Sequence, residues 1–170
     1  METEFTFSST LPVMVYHRTP GETDWRELDL GPGVFRVPAG QQVMLRLRNI
    51  DDGALAVLAQ ELAGCTPVVF LNLSENRKVT GDGLELLRPL KWLTGLNLSS
   101  CALTDTGLVH LTAFTRLEHL NLSYCNRLTD LALKTIQRLN NLTFLDLQGC
   151  VKITNGGVAR LRKRNLNIHR

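Results

Sequence analysis

Three of the four cysteines recur at a regular spacing, and they are the first candidates for chemistry. Cys101, Cys125 and Cys150 are 24 and 25 residues apart, whereas Cys65 stands outside the series. Cysteine thiolates can hold zinc, but a structural zinc site needs four ligands in a tetrahedron, and the chain has no CxxC pair. Thiols on neighbouring strands would instead form a line with steps of about 4.8 Å. The spacing therefore predicts buried, unreactive thiols and no metal site.

A histidine and a serine form the second candidate pair, because a histidine base can activate a serine nucleophile. His119 and Ser123 would lie in one extended segment with Asn121 between them, and residues four apart along a strand are about 13 Å apart. A base and a nucleophile at that separation cannot share a hydrogen bond. The other three histidines form no recognisable motif with acids. The sequence thus predicts no catalytic residues, no enzyme activity and no cofactor.

The segments that carry these residues are repeats of one pattern. Residues 70–74, 95–99, 119–123 and 144–148 each alternate leucine with other residues. Their leading leucines, Leu71, Leu96, Leu120 and Leu145, are 25, 24 and 25 residues apart, a period typical of solenoids. Apolar residues have period 2 within each segment and then recur at helical spacing. We therefore predict one strand and one helix per repeat.

The start of each predicted helix is marked by a threonine and a nearby acidic or amide side chain. The pairs are Thr80 with Asp82, Thr104 with Asp105, Thr129 with Asp130, and Thr154 with Asn155. A threonine hydroxyl can accept a hydrogen bond from the first helical turn, and an aspartate there meets the positive end of the helix dipole. A row of helix N-termini could instead bind anions. Because the aspartates already occupy these ends, we predict that both residues cap the helices.

The repeat resembles the leucine-rich repeat in its cysteine-containing form, the subtype seen in F-box and GALA-like proteins. The pattern is Leu-x-x-Leu-x-Leu-x-x-Cys followed by x-x-Leu-Thr-Asp-x-Gly-Leu-x-x-Leu, and residues 101–111 fit its second half closely. Gly-Ala-Leu-Ala occurs once, at 53–56, and no segment resembles an F-box. The resemblance implies an α/β solenoid, a short right-handed horseshoe with parallel strands on its concave face and helices on its convex face.

The resemblance covers roughly residues 43–170, as one degenerate repeat, four full repeats and a terminal strand near 166–169. Residues 1–42 lack the repeat and contain short alternating segments separated by proline and glycine, which are typical of strands and turns. A solenoid must cover the open edge of its first repeat. We therefore predict an antiparallel β cap over residues 1–42. An enzyme housed there is the alternative, and it would need an acid, a base and a pocket.

Composition restricts the classes of function. The chain is 44% hydrophobic and 21% charged, which is ordinary for a folded soluble protein. No apolar run is long enough for a membrane span and the acidic N-terminus is unlike a signal peptide, so we predict a cytoplasmic protein. Residues 152–170 carry six basic residues and no acid. These could contact nucleic acid, but a solvated end of the array is the preferred interpretation, because no aromatic residues lie between the charges.

In a Leu-x-Leu strand the leucines point inward and the residues between them point to the concave face. Reading across the repeats places Phe70, His119 and Phe144 in a first column, and an asparagine series ending at Asn167 in a middle column, with His169 in a third. Aromatic residues dominate interface energetics. We predict a non-catalytic protein-interaction module or scaffold that binds an unidentified protein rather than a small molecule or a membrane. The predicted partner-binding residues are Arg46, Arg48, Phe70, Asn72, Asn97, His119, Asn121, Tyr124, Phe144 and Asp146. The alternative is an assembly scaffold that uses its flanks or its cap.

Overall fold

The N-terminal segment forms four strands. The structure is a computed structural model and describes residues 4–161, 163 and 165–170. The strands are β1 (Glu4–Ser9), β2 (Val13–Arg18), β3 (Arg26–Leu30) and β4 (Gly33–Pro38). Each coincides with one of the four alternating segments of the sequence. Pro20, Gly21 and Gly40 lie in the turns between strands. This is expected, because proline has a fixed φ and glycine tolerates the positive φ that many turns require.

The remaining elements repeat a strand and a short helix. The strands are β5 (Gln42–Leu47), β6 (Val68–Asn72), β7 (Gly95–Asn97), β8 (His119–Asn121), β9 (Phe144–Asp146) and β10 (Asn167–His169). The helices are α1 (Asp52–Glu61), α2 (Gly81–Leu86), a 3₁₀ helix (Gly107–Ala113), α3 (Ala132–Gln137) and α4 (Asn155–Ala159). The predicted α/β solenoid is confirmed, although the third helix is 3₁₀ rather than α.

Eight strands form one continuous sheet in the order β10-β9-β8-β7-β6-β5-β2-β3. The strands from β5 to β10 are parallel, and β2 lies antiparallel to both β5 and β3. The first strand of the repeat array therefore has no free edge, because β2 occupies it. β1 and β4 form a separate antiparallel ribbon.

The leucines of the repeat fill the core between the sheet and the helices. Leu71, Leu96, Leu120 and Leu145 are each fully buried. The ribbon of β1 and β4 extends this core beyond the first repeat, since Phe7 and Phe35 belong to the same cluster of buried residues. A carboxylate holds the ribbon to α1: Glu61 accepts hydrogen bonds from the Ser9 hydroxyl at 2.6 Å and from the Thr10 N–H at 2.7 Å. The two layers of the solenoid thus continue into the N-terminal strands.

The pairing of the last strand differs from the prediction. Ile168 lies opposite Leu145, so Asn167 lies beside Phe144 and His169 beside Asp146. The prediction that Asn167 ends the middle column and His169 the third was wrong, because Asn167 lies in the first column and His169 in the middle one. The reason is that Ile168, rather than Leu166, fills the place of the repeating leucine.

Candidate functional site

The first column of the concave face is an aromatic row. Sheet register places Phe70, Gly95, His119 and Phe144 side by side on four successive strands. The His119 and Phe144 rings stack with centroids 5.9 Å apart, and the Phe70 ring lies over Gly95, where a Cβ would overlap it. His119 is exposed, whereas the two phenylalanines are half-buried. The structure therefore brings together three of the predicted partner-binding residues.

Two residues of the N-terminal segment, one at the end of β2 and one just before β3, extend this row, and neither was predicted from the sequence. The Trp25 and Phe70 ring centroids are 6.0 Å apart with planes inclined at 64°. The Arg18 guanidinium lies 4.2 Å above the Trp25 ring, and its Nε donates to Gln42 Oε1 at 2.9 Å. The signal available in the sequence was their position, since both flank the proline-glycine turn that joins β2 and β3 into a hairpin. Only the pairing of β2 with β5 places that hairpin beside the repeats.

A concavity that we call the junction groove lies between the β2–β3 turn and the repeats. Its walls include Arg18, Glu22, Trp25, Phe70, Glu118 and His119. Burial lowers the pKa of Arg18, and the opposing attraction of the Glu118 carboxylate raises it. The groove therefore combines aromatic faces with charges of both signs, and neither the N-terminal strands nor the repeats form it alone.

The middle column serves the turns that follow the strands. The side-chain carbonyl oxygens of Asn72, Asn97 and Asn121 each accept a hydrogen bond from the backbone N–H two residues later, at 2.8 to 3.2 Å. Asp146 does the same for Gln148 at 2.8 Å, and its second oxygen lies 3.5 Å from His169 Nδ1. Four predicted binding residues thus hold local backbone geometry. The Asn121 amide nitrogen also donates to Asp146 Oδ2 at 3.4 Å, so a partner could contact the amide nitrogens of Asn72 and Asn97 more readily.

The remaining predicted binding residues lie away from the aromatic row. Arg46 is half-buried beside Asn72, and its Nε has no hydrogen-bond partner in the described part of the chain. Arg48 is exposed just after β5. Tyr124 is 52% exposed, has a positive φ of 58°, and covers Gly149 at the opposite end of the strands from the junction groove. The structure therefore separates Tyr124 from His119 and Phe144.

The thiols of the repeated cysteines form hydrogen bonds with the backbone. The thiols of Cys101, Cys125 and Cys150 each donate to a carbonyl oxygen of the preceding repeat, at 3.2, 3.2 and 3.0 Å. Burial raises the pKa of Cys101 and of Cys125 to about 12. Asn76 occupies the same position one repeat earlier and donates to the carbonyls of Leu47 and Leu73 at 2.9 Å. This column therefore links neighbouring repeats.

The threonine and aspartate pairs also link repeats, which corrects the predicted role of the aspartates. Asp105 accepts from the Thr129 N–H at 2.9 Å and from its hydroxyl at 2.7 Å, and Asp130 makes both contacts with Thr154 at 2.7 Å. These carboxylates reach the following repeat instead of meeting the dipole of their own helix. The predicted threonine hydrogen bonds are present at all four helix starts. The hydroxyls of Thr80 and Thr154 accept from Asp82 N and Gly157 N, and those of Thr104 and Thr129 accept from Gly107 N at 3.3 Å and Leu131 N at 3.2 Å.

Asp52 makes the corresponding contacts with Thr80, at 2.8 Å to its N–H and 2.6 Å to its hydroxyl. The junction between the second and third repeats is built differently, because Gly81 stands where the first, third and fourth repeats have Asp52, Asp105 and Asp130. There the backbones of Gly81 and Gly107 pack so closely that a Cβ on either would overlap the other. Carboxylates therefore bridge three junctions, and direct backbone contact closes the fourth.

The basic C-terminal residues are partly engaged within the chain. Lys163 Nζ donates to the Leu139 carbonyl, and Arg170 donates to Asn155 Oδ1 and to the Ile153 carbonyl. Arg162 and Arg164, which the nucleic-acid alternative invokes, lie outside the described residues. Among the residues that the structure describes, no helix has the length and apolar character of a membrane span. Within the same residues, no three potential ligands are grouped as a metal site would require.

Two curated relatives match the chain. EEED8.10 of Caenorhabditis elegans, whose name marks it as a candidate RNA-binding protein, is 24% identical over 115 residues, covering 67% of this chain and 16% of the relative. The antagonist of mitotic exit network protein 1 of Candida glabrata is 28% identical over 115 residues, covering 63% and 22%. The chain thus spans less than a quarter of the length of either relative.

A solved structure and two family descriptions agree on the architecture. A chain in the crystal structure of the yeast Rad7 and Elc1 complex superposes with a TM-score of 0.60 at 19% identity, over 74% of this chain and 32% of that one. Residues 91–135 match the family described as "Leucine Rich repeats (2 copies)", and residues 64–87 and 138–161 match "Leucine Rich repeat". These segments cover more than half of the sequence and coincide with the strand and helix units of the structure. The chain is therefore a member of the leucine-rich repeat family.

Proposed function

We propose that this chain is a non-catalytic protein-interaction module that binds a partner protein through its concave face, with the aromatic row as the centre of the interface. Leucine-rich repeats are in general an interaction fold rather than a catalytic one. The observation that carries the proposal is the alignment of Trp25, Phe70, His119 and Phe144 on one face. Half-exposed aromatic side chains in contact with each other are the typical anchors of protein interfaces.

The cap and the cellular compartment belong to the same proposal. We assign residues 1–42 the role of an end cap that also contributes Arg18 and Trp25 to the binding surface. The pairing of β2 with β5 supports this role. The cytoplasmic location and the relation to the F-box and GALA-like subtype stay predictions. The superposition on a chain from the Rad7 and Elc1 complex is consistent with a partner protein, although it identifies none.

Two alternatives rank lower. An assembly scaffold would use the flanks or the cap, where the exposed apolar side chains are aliphatic, such as Leu30 and Val34 on the N-terminal strands, and aliphatic side chains are weaker interface anchors than aromatic ones. Nucleic-acid binding is suggested by the name of the C. elegans relative and by the basic C-terminal segment. Lys163 and Arg170 already make internal hydrogen bonds, which weakens that alternative. Binding to RNA that falls steeply with added salt would revive it.

The proposal is tested by affinity capture with the wild type and with a Phe70→Ala/Phe144→Ala double variant. The matched control is Leu131→Ala/Val151→Ala, which removes two exposed apolar side chains outside the concave face. We expect the first variant alone to lose a protein that the wild type retains, by at least about tenfold, because truncating a central aromatic anchor costs about 2 kcal/mol or more. Circular dichroism must show that all variants are folded. Identical sets of captured proteins for the wild type and both variants would overturn the proposal.

A further inference from the structure

We infer that the junction groove receives a cationic side chain, arginine or lysine, from the partner protein. This inference rests on the proposed function and adds the chemistry of one contact to it. The groove brings together a carboxylate and aromatic faces, and both attract a cation. Each element of that arrangement is fixed by contacts on the N-terminal strands or on the repeats.

The carboxylate is Glu118, at the start of β8. Its side chain is exposed and makes no hydrogen bond or ion pair with any described residue. Its backbone position is fixed, because the N–H groups of Glu118 and His119 both donate to the Thr94 carbonyl, at 2.9 and 3.0 Å. Glu118 therefore presents an unpaired negative charge at a defined place on the groove wall.

The other charges in the groove are already engaged. Glu22 accepts from the Thr19 N–H and from Arg26, each at 3.0 Å, which secures the β2–β3 turn. Arg18 is held by Gln42 and by the Trp25 ring, and it interacts with Glu118 across the groove beyond ion-pair distance. Glu22 is neutralised by Arg26, so Glu118 is the carboxylate of the groove that has no ion-pair partner among the described residues.

The aromatic side chains of the groove also favour a positively charged ligand. The Trp25 and Phe70 rings meet edge to face, with planes inclined at 64°, beside Glu118 and His119. Aromatic faces carry partial negative charge, which attracts cations and disfavours anions. Arg18 already makes such a cation–π contact, because its guanidinium lies 4.2 Å from the centre of the Trp25 ring. A guanidinium or ammonium group of the partner would form an ion pair with Glu118, and the methylene groups of the same side chain would pack against Phe70.

The test is an NMR titration of the wild-type chain with N-acetyl-arginine amide as the probe. N-acetyl-citrulline amide is the neutral control of nearly equal shape, and N-acetyl-glutamate amide is the anionic control. The two tryptophans report on the result, since Trp25 lines the groove whereas the Trp92 indole N–H is bonded to the Val68 carbonyl. We expect the arginine probe to shift the Trp25 indole signal with millimolar affinity and to leave Trp92 unchanged.

Glu118→Gln should weaken the arginine probe about two- to fivefold, as expected for one solvent-accessible ion pair. Arg116→Gln is the matched control, since it removes an exposed charge two residues away that lies outside the groove walls. Equal shifts with citrulline, stronger binding of the glutamate probe, or no shift of Trp25 with any probe would each overturn the inference. If Phe70→Ala/Phe144→Ala still abolishes capture of a partner protein in that case, the proposed function stands without this contact.

Discussion

Replacing Asp105 with alanine should destabilise the chain by breaking the bridge between its third and fourth repeats. The Asp105 carboxylate accepts two hydrogen bonds from Thr129, at 2.9 Å from the N–H and 2.7 Å from the hydroxyl. Hydrogen bonds to charged groups contribute about 1.5–3 kcal/mol each when they are sheltered. Both residues are half-buried, so water can replace part of each bond. We expect the pair to contribute about 1–3 kcal/mol to the free energy of unfolding.

The assay is urea denaturation followed by circular dichroism. A loss of about 2 kcal/mol, at an m-value of about 2 kcal/mol/M, lowers the midpoint of unfolding by about 1 M. Asp82→Ala is the matched control, because Asp82 is an aspartate in the first turn of α2 whose exposed side chain accepts no hydrogen bond from a described residue. Its interaction with the helix dipole is worth about 0.3–1 kcal/mol, so its midpoint should fall by less than about 0.5 M. Equal shifts for the two variants would refute the conclusion that the carboxylate stabilises the junction between repeats.

Two further predictions concern the other contacts between repeats. Cys101 and Cys125 should resist a thiol reagent in the native protein at pH 8, because burial raises the pKa of each thiol to about 12 and leaves almost no thiolate. The half-buried Cys65 should react first, and mass spectrometry showing earlier labelling of Cys101 or Cys125 would contradict this order. Gly157→Ala should cost about 1–3 kcal/mol, because a Cβ there overlaps the Asp130 carboxylate that binds Thr154. The neighbouring Gly156→Ala is the control, with its nearest atom 3.8 Å away, and an equal midpoint for both variants in urea would contradict the expected overlap.

The repeated strands could be predicted from the sequence because their information is local. The Leu71, Leu96 and Leu120 pattern defines which face of each strand is inward, and the structure buries all three. The buried cysteine column followed from the same spacing. Asn167 was misplaced because two apolar residues of the predicted last strand, Leu166 and Ile168, could each fill the one inward position, and the local pattern did not decide between them.

The candidate site was only half predictable for a different reason. Phe70, His119 and Phe144 lie at equivalent positions of the repeat, so counting residues was enough to align them. Trp25 and Arg18 belong to no repeat, and their place beside Phe70 depends on which strand β2 pairs with. Long-range pairing of this kind has no local pattern in the sequence. The role of Asp105 was missed likewise, because its partner Thr129 is 24 residues away.

The carboxylate bridges also determine which pieces of the array could be copied. Residues 105–129 begin with the acceptor Asp105 and end with the donor Thr129, so a tandem duplicate of this segment would join to itself through the contact it already makes. The segment that begins at Gly81 has no carboxylate to offer and fits only a neighbour with glycine at the facing position, as at Gly107. The first segment therefore carries both halves of its own bridge, whereas the segment that begins at Gly81 depends on a glycine in its neighbour.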